Sequence, residues 1–290
     1  MKQSVVIAAL LTACASDYKV HANNDALGGA DDFFDTGVTE EPPEDEPEEE
    51  PDPDAPVAIC DVTPSKVRPI IENAVWIGSD SVDPNDEAIT DYSWTLVDRP
   101  VGSAASMPGG GAADRSGFIT DLVGDYVGEL VVTNASGVRS PPCSVTLTAE
   151  PVENFWVEMF WESSGDDMDL HLLAPGGTLE TDTDCYYENC TFGGLDWGII
   201  GETLDDPALD LDDIPLTGPE NINIESPESG LYTVIVHDYP GSVFAAGNAV
   251  TINIYLDGSL QWSDTRIIDG EDTYTEFARV DVDEGTVEPL

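Results

Sequence analysis

The stretch Asp166-Asp167-Met168-Asp169-Leu170-His171-Leu172-Leu173 alternates acidic or polar residues with apolar ones at a period of two. In an extended strand that period sends successive side chains to opposite faces. Met168, Leu170 and Leu172 then enter a core, and Asp167, Asp169 and His171 share the opposite face. Asp167 and Asp169 lie roughly 7 Å apart along such a strand, from the rise per residue. Both carboxylates can reach one cation, and without one their charges repel. A core strand that carries its own anionic face constrains both the fold and the chemistry of this chain.

The rest of the sequence follows the same strand grammar. Across residues 56–149, short β-type runs (Ala74–Ile77, Tyr92–Val97, Tyr126–Thr133, Cys143–Thr148) alternate with Pro, Gly, Asn and Asp turns. That spacing predicts a β-sandwich. Residues 151–290 offer five more strand candidates: Phe155–Trp161, Asp167–Leu173, Leu231–His237, Val250–Leu256 and Thr275–Val282. Neither segment has a sustained helical period or an internal repeat. The predicted class is all-β: two tandem β-sandwich domains, the first immunoglobulin-like and the second jelly-roll-like. Within the second, residues 174–221 form a long connection holding a Cys pair and the densest acids, and a loop of that length in a compact domain favours a function.

Charge narrows the partners. The chain carries 59 acidic against 9 basic side chains, a formal net charge of −50. Such a surface repels polyanions, which excludes generic affinity for nucleic acid or anionic membrane. Cations, basic surfaces and neutral sugars remain. From Pro151 onward 31 acids face only Arg266 and Arg279, a density that must be neutralised by bound ions or screened by concentrated salt. Residues 40–54, EEPPEDEPEEEPDPD, hold ten acids, five prolines and no base. Like-charge repulsion and proline stiffness predict that residues 14–55 are a disordered acidic stalk.

The first residues, MKQSVVIAALLTAC, place Lys2 before an apolar run too short to span a bilayer. Leu11-Thr12-Ala13-Cys14 resembles a bacterial lipobox. The resemblance implies a lipoprotein signal peptide over 1–13, diacylation of the Cys14 thiol and membrane attachment through that anchor only. Ala15 after the Cys implies the outer membrane or cell surface. Gly78-Ser79-Asp80-Ser81-Val82-Asp83-Pro84, Ile89-Thr90-Asp91-Tyr92-Ser93-Trp94 and Asp121-Leu122-Val123-Gly124-Asp125-Tyr126 resemble a PKD-type immunoglobulin-like domain. That likeness implies a core tryptophan at Trp94 and a tyrosine corner at Tyr126. In the second domain, Asp166–Leu172 with Pro175-Gly176-Gly177, Asp184-Cys185-Tyr186-Tyr187-Glu188-Asn189-Cys190, Leu195-Asp196-Trp197-Gly198, 209–222 (LDLDDIPLTGPENI) and His237-Asp238-Tyr239-Pro240-Gly241-Ser242 resemble a β-sandwich family of bacterial surface lipoproteins. That family implies location and architecture and adds no reaction. With Cys14 acylated, four cysteines allow three pairings. The expected bridges are Cys60–Cys143, bracketing the first domain, and Cys185–Cys190, closing a short loop in the second.

Three constellations carry chemistry. Acids from the strand (Asp167, Asp169) and from the loop (Asp205, Asp206, Asp210, Asp212, Asp213, Glu220) supply hard oxygen ligands of the kind Ca²⁺ takes six to eight of. The expected site is Asp167, Asp169, Asp210, Asp212, Asp213 and Glu220, although Asp210-x-Asp212-Asp213…Glu220 lacks the glycine and spacing of an EF-hand. His171 and His237 stand near acids on central strands, where a hydrogen-bonded structural role competes with a metal site. Several aromatics, among them Tyr186, Tyr187, Trp197 and Tyr239, can line a sugar-binding face or simply fill the core. No nucleophile elbow, zinc-protease or Cys–His signature occurs. The expected protein is therefore a non-enzymatic, lipid-anchored envelope protein presenting a Ca²⁺-binding adhesion module to a carbohydrate or protein ligand. A salt-adapted structural protein and a two-carboxylate hydrolase are the competing readings.

Overall fold

The computed structural model describes residues 52–191, 194–214, 216–241 and 247–290. The expected signal peptide, Cys14 and the expected stalk up to residue 51 lie outside the described residues. The rest belongs to one compact unit that contains two separate hydrophobic cores.

The first core is enclosed by seven strands: β1 (Asp61–Thr63), β2 (Lys66–Val67), β3 (Asn73–Ile77), β4 (Ile89–Asp98), β5 (Arg115–Ile119), β6 (Gly124–Asn134) and β7 (Cys143–Ala149). One sheet has the order β1-β3-β5 and the other β2-β7-β6-β4, with β2 parallel to β7. In β6 every second residue from Tyr126 to Asn134 is buried, the period of a half-buried strand. Trp94 is in this core, but its centre is Trp76, which is fully buried between Trp94 and Phe118. Tyr126 closes the corner: its hydroxyl accepts from the Leu122 amide at 2.9 Å and lies 2.8 Å from the Leu122 carbonyl. Cys60 and Cys143 are disulfide-bonded. Cys60 precedes β1 and Cys143 opens β7, strands of different sheets, so the bridge links the two layers instead of neighbouring strands.

The second core is enclosed by β8 (Phe155–Trp161), β9 (Met168–Leu173), β10 (Asp184–Cys185), β11 (Ala208–Leu211), β12 (Glu220–Ile224), β13 (Leu231–Asp238), β14 (Asn248–Leu256), β15 (Ser259–Ile268), β16 (Thr273–Asp281) and β17 (Thr286–Pro289). They form two five-stranded sheets, β10-β9-β13-β16-β17 and β11-β12-β8-β14-β15. Their inner faces meet through Val157, Met159, Leu170, Leu172, Ile222, Val234, Val236, Ile252 and Phe277, all fully buried. One short helix, α1 (Tyr187–Cys190), is closed by the Cys185–Cys190 disulfide. The connection at 174–221 is thus more ordered than a loop: β10, α1 and β11 occupy it, and β12 begins at its end.

β15 pairs with β14 through a two-residue turn, Asp257-Gly258, with φ of 49° and 73°. Two left-handed residues make a type I′ hairpin, and Asp-Gly is its commonest sequence signal. That dipeptide marked a strand absent from the expected set.

The two cores are joined by half-buried charges and one buried glutamate. Arg68 donates to Asp210 at 2.7 Å, lies 2.8 Å from Glu153 and stacks its guanidinium 5.5 Å from the Trp156 ring centre. Glu158, on β8, accepts from the Val123 amide at 2.8 Å and from Asn253 at 3.0 Å. Arginine fits this junction because its planar fork can meet two carboxylates while its face covers an aromatic.

Candidate metal centre

The centre forms where the edge of one sheet meets the start of a strand in the other. β13 borders β9 along its full length, whereas β10 pairs only with Leu172 and Leu173. The Leu170 amide, outside that short pairing, donates to Glu220 Oε2 at 2.7 Å. Glu220 opens β12 opposite Met159 and alternates with Ile222 and Ile224, which places its carboxylate on the core-facing side. Its second oxygen faces the Asp213 amide at 3.3 Å. A fully buried glutamate therefore ties the two sheets together at an open edge.

Asp169, Asp212 and Glu220 converge there: one ligand oxygen from each lies within 4.8 Å of the others, the only such group of three among the described residues. Asp169 and Glu220 are buried and Asp212 is half-buried. Burial, then the charges of Asp167 and Asp212, pushes Asp169 up to about 8. Burial, then Asp212, Asp166 and Asp213, pushes Asp167 up to about 6. Burial and the Asp169 charge raise Glu220 well above the usual carboxylate range, against the two amides that favour its anion. Raised in this way, Asp167, Asp169 and Glu220 favour their protonated forms unless a cation neutralises them. Two oxygens, Asp167 Oδ1 and Asp169 Oδ2, are buried without a hydrogen bond, the latter 3.5 Å from His237 Nδ1, and a hard cation suits acceptors left in that state.

The remaining expected ligands divide. Asp167 and Asp213 belong to the centre's electrostatic field, and Asp213 also holds its own loop by accepting from the Gly218 amide at 2.8 Å. Asp210 is elsewhere. Its Oδ2 receives Arg68, Asn221 and Asn223, so it serves the junction between the cores. Alternation alone would put Asp210 and Asp212 on one face; they separate because the β11 register shifts between Leu209 and Leu211 and the strand ends at Leu211, so Asp212 leaves it. Asp205 and Asp206 accept from the Ile199 and Trp197 amides and order their own loop.

His171 and His237 lie on the outer face of the β9–β13–β16 sheet. His171 Nδ1 is 2.8 Å from Asp184, and His237 Nδ1 is 3.5 Å from Asp169. They form no three-ligand metal group among the described residues. Tyr274 lies opposite His237 in register and stacks on it at 4.1 Å, a neighbour that strand pairing alone reveals. No protein-family model, curated protein or solved structure matches this chain, so the functional reading rests on this geometry.

Proposed function

We propose that this chain is an exported, lipid-anchored cell-envelope protein whose second β-sandwich is a Ca²⁺-dependent binding or adhesion module, carried on an acidic stalk. The observation that supports it most is the convergence of Asp169, Asp212 and Glu220 with acceptors left without a hydrogen bond beside them. Asp169, Asp212 and Glu220 would hold the ion and Asp167 would support it, while Ca²⁺ would supply the positive charge that lets four acids share an edge. The ligand of the module is a carbohydrate or a protein, and the chain acts by binding, without catalysis. Salt adaptation is the second reading, favoured by the charge of −50.

Proton linkage separates them. Metal ligands must be deprotonated, and at pH 7 Asp169, held up to about 8, keeps its proton. Calcium binding at pH 7 should release on the order of one proton, and affinity should rise about tenfold per pH unit per proton between pH 6 and 8. Isothermal titration in two buffers of different ionisation enthalpy reads the proton count; zero release with pH-independent heat would refute the assigned ligands.

The anchor has its own test. Metabolic labelling with a palmitate analogue should mark the protein, and Cys14→Ser should abolish the label and release the protein from the membrane fraction. Labelling that persists in the variant would exclude the anchor.

A further inference from the structure

A cavity of about 320 Å³ opens on the outer face of the β9–β13–β16 sheet, at the lower end of the size of small-ligand pockets. Six rings wall it. His171 stacks on Tyr186 with planes 11° apart, and His237 on Tyr274 with planes 4° apart. Tyr187 meets both Tyr186 and Tyr239 at 88°. Tyr239 and Tyr274 are each 37% exposed, which leaves ring surface open at the mouth. The frame is set before any ligand arrives. The Tyr274 hydroxyl donates to Glu180 at 2.6 Å and the Tyr186 hydroxyl to Glu188 at 3.0 Å, and the Cys185–Cys190 disulfide closes the loop that carries Tyr186 and Tyr187.

Two kinds of polar group face this aromatic frame. Glu180 and Glu188 line it, each taking one phenol proton and keeping further lone pairs. His171, only 1% exposed, lines it with an Nε2 that is buried and makes no hydrogen bond. A hydroxyl satisfies that nitrogen in either protonation state, because it donates to a bare nitrogen and accepts from an N–H. A group that only donates, or only accepts, satisfies one state alone.

We infer that this cleft binds a neutral pyranose, with an apolar C–H face of the sugar against the Tyr239 and Tyr274 rings, one hydroxyl on His171 Nε2 and others donating to Glu180 and Glu188. Aromatic faces are electron-rich and attract such C–H groups. The acids of the lining, on a chain of net charge −50, turn away anionic sugars. The assignment rests on the binding-module reading and deepens it by choosing carbohydrate over protein. A protein partner needs roughly 800 Å² of surface on each side, whereas this cleft admits one ring-sized group. Asp169, Asp212 and Glu220 are not among its lining residues, so sugar binding and metal binding are measured separately.

The full-length chain should be titrated, in Ca²⁺ and in chelator, with the methyl glycosides of glucose, galactose, mannose and N-acetylglucosamine, followed by calorimetry and saturation-transfer NMR. At least one glycoside should saturate in Ca²⁺, with transfer strongest onto the ring protons of one sugar face. Methyl glucuronoside, which adds a negative charge, and cyclohexanol, a ring without the hydroxyl set, should each bind at least tenfold more weakly. An equal concentration of 1,4-diaminobutane should not displace the sugar. Tyr274→Leu should weaken the sugar at least tenfold, and Glu188→Gln, at an exposed position, at least threefold. A chain that takes a glycoside but shows no Ca²⁺ response keeps this site and loses the metal centre. Saturation by no glycoside while Ca²⁺ still binds overturns the sugar site and leaves the metal centre standing. Equal binding of glucuronoside or cyclohexanol, displacement by the diamine, or sugar binding unchanged in both variants would each overturn the assignment as well.

Discussion

In millimolar Ca²⁺ the second domain should melt well above its value in chelator at the same ionic strength, and Asp169→Asn with Asp212→Asn should erase the difference. A ligand bound only by the folded state adds about 2.7 kcal/mol at a hundredfold excess over its dissociation constant. For a domain of this size that is roughly 5–10 °C in Tm. The variant should also carry an opposite signature in chelator. Asp169 and Glu220 have raised pKa values when folded, so the native state binds more protons than the unfolded chain. Metal-free stability is therefore complete below the ordinary carboxylate range and falls as pH rises toward about 8. Replacing two of the repelling carboxylates with neutral isosteres flattens that slope, and at pH 8 the metal-free variant should be at least as stable as wild type. Asp52→Asn, in the exposed segment before the first strand, should change neither response. Differential scanning calorimetry across pH and Ca²⁺ decides the matter. Equal stabilisation by NaCl, or an unchanged response in the double variant, would leave only salt adaptation.

Removing the Cys60–Cys143 bridge is expected to be the most destabilising single change in the first domain. The bond spans 83 residues of sequence, and in the chain-entropy model a loop of that length contributes roughly 4–5 kcal/mol by restricting the unfolded state. Because the bond ties one sheet to the other, Cys60→Ser with Cys143→Ser also frees the layers to part around Trp76. Removing Cys185–Cys190, which spans 5 residues, should cost only about 2 kcal/mol. Its larger effect is local, because the closed loop carries Tyr186 onto the face of His171. Chemical denaturation of the two double variants gives the magnitudes. Peptide mapping under non-reducing conditions checks the pairing, and a cross-domain bridge would contradict it.

Much of the fold was legible along the chain because β-structure writes its faces locally. Phe155–Trp161 and the alternation from Met168 to Leu172 read directly as strands, and both lie at the heart of the second core. The short spacing of Cys185 and Cys190 matches their bridge. The segment 220–224 (ENINI) was harder, since polar residues at Glu220, Asn221 and Asn223 disguise a strand whose five residues are all buried. Its polar side chains are absorbed by partners far away in sequence: Leu170 for Glu220 and Asp210 for the two asparagines.

The sequence by itself determined the all-β class, the anionic face of the strand at Asp167–Asp169, the acid excess and the cysteines available to bridge. A period of two settles which side of its own strand a residue takes, and nothing more. Tertiary structure decided which strands became neighbours, and with that the site. It brought Glu220 from the facing sheet onto the Leu170 amide, drew Asp210 away to Arg68 across 142 residues, and laid Tyr274 on His237. Those choices follow from burying two apolar faces at once. The register that closes the core over Val157, Leu170 and Val236 also fixes where the acids and rings on the remaining surfaces must meet.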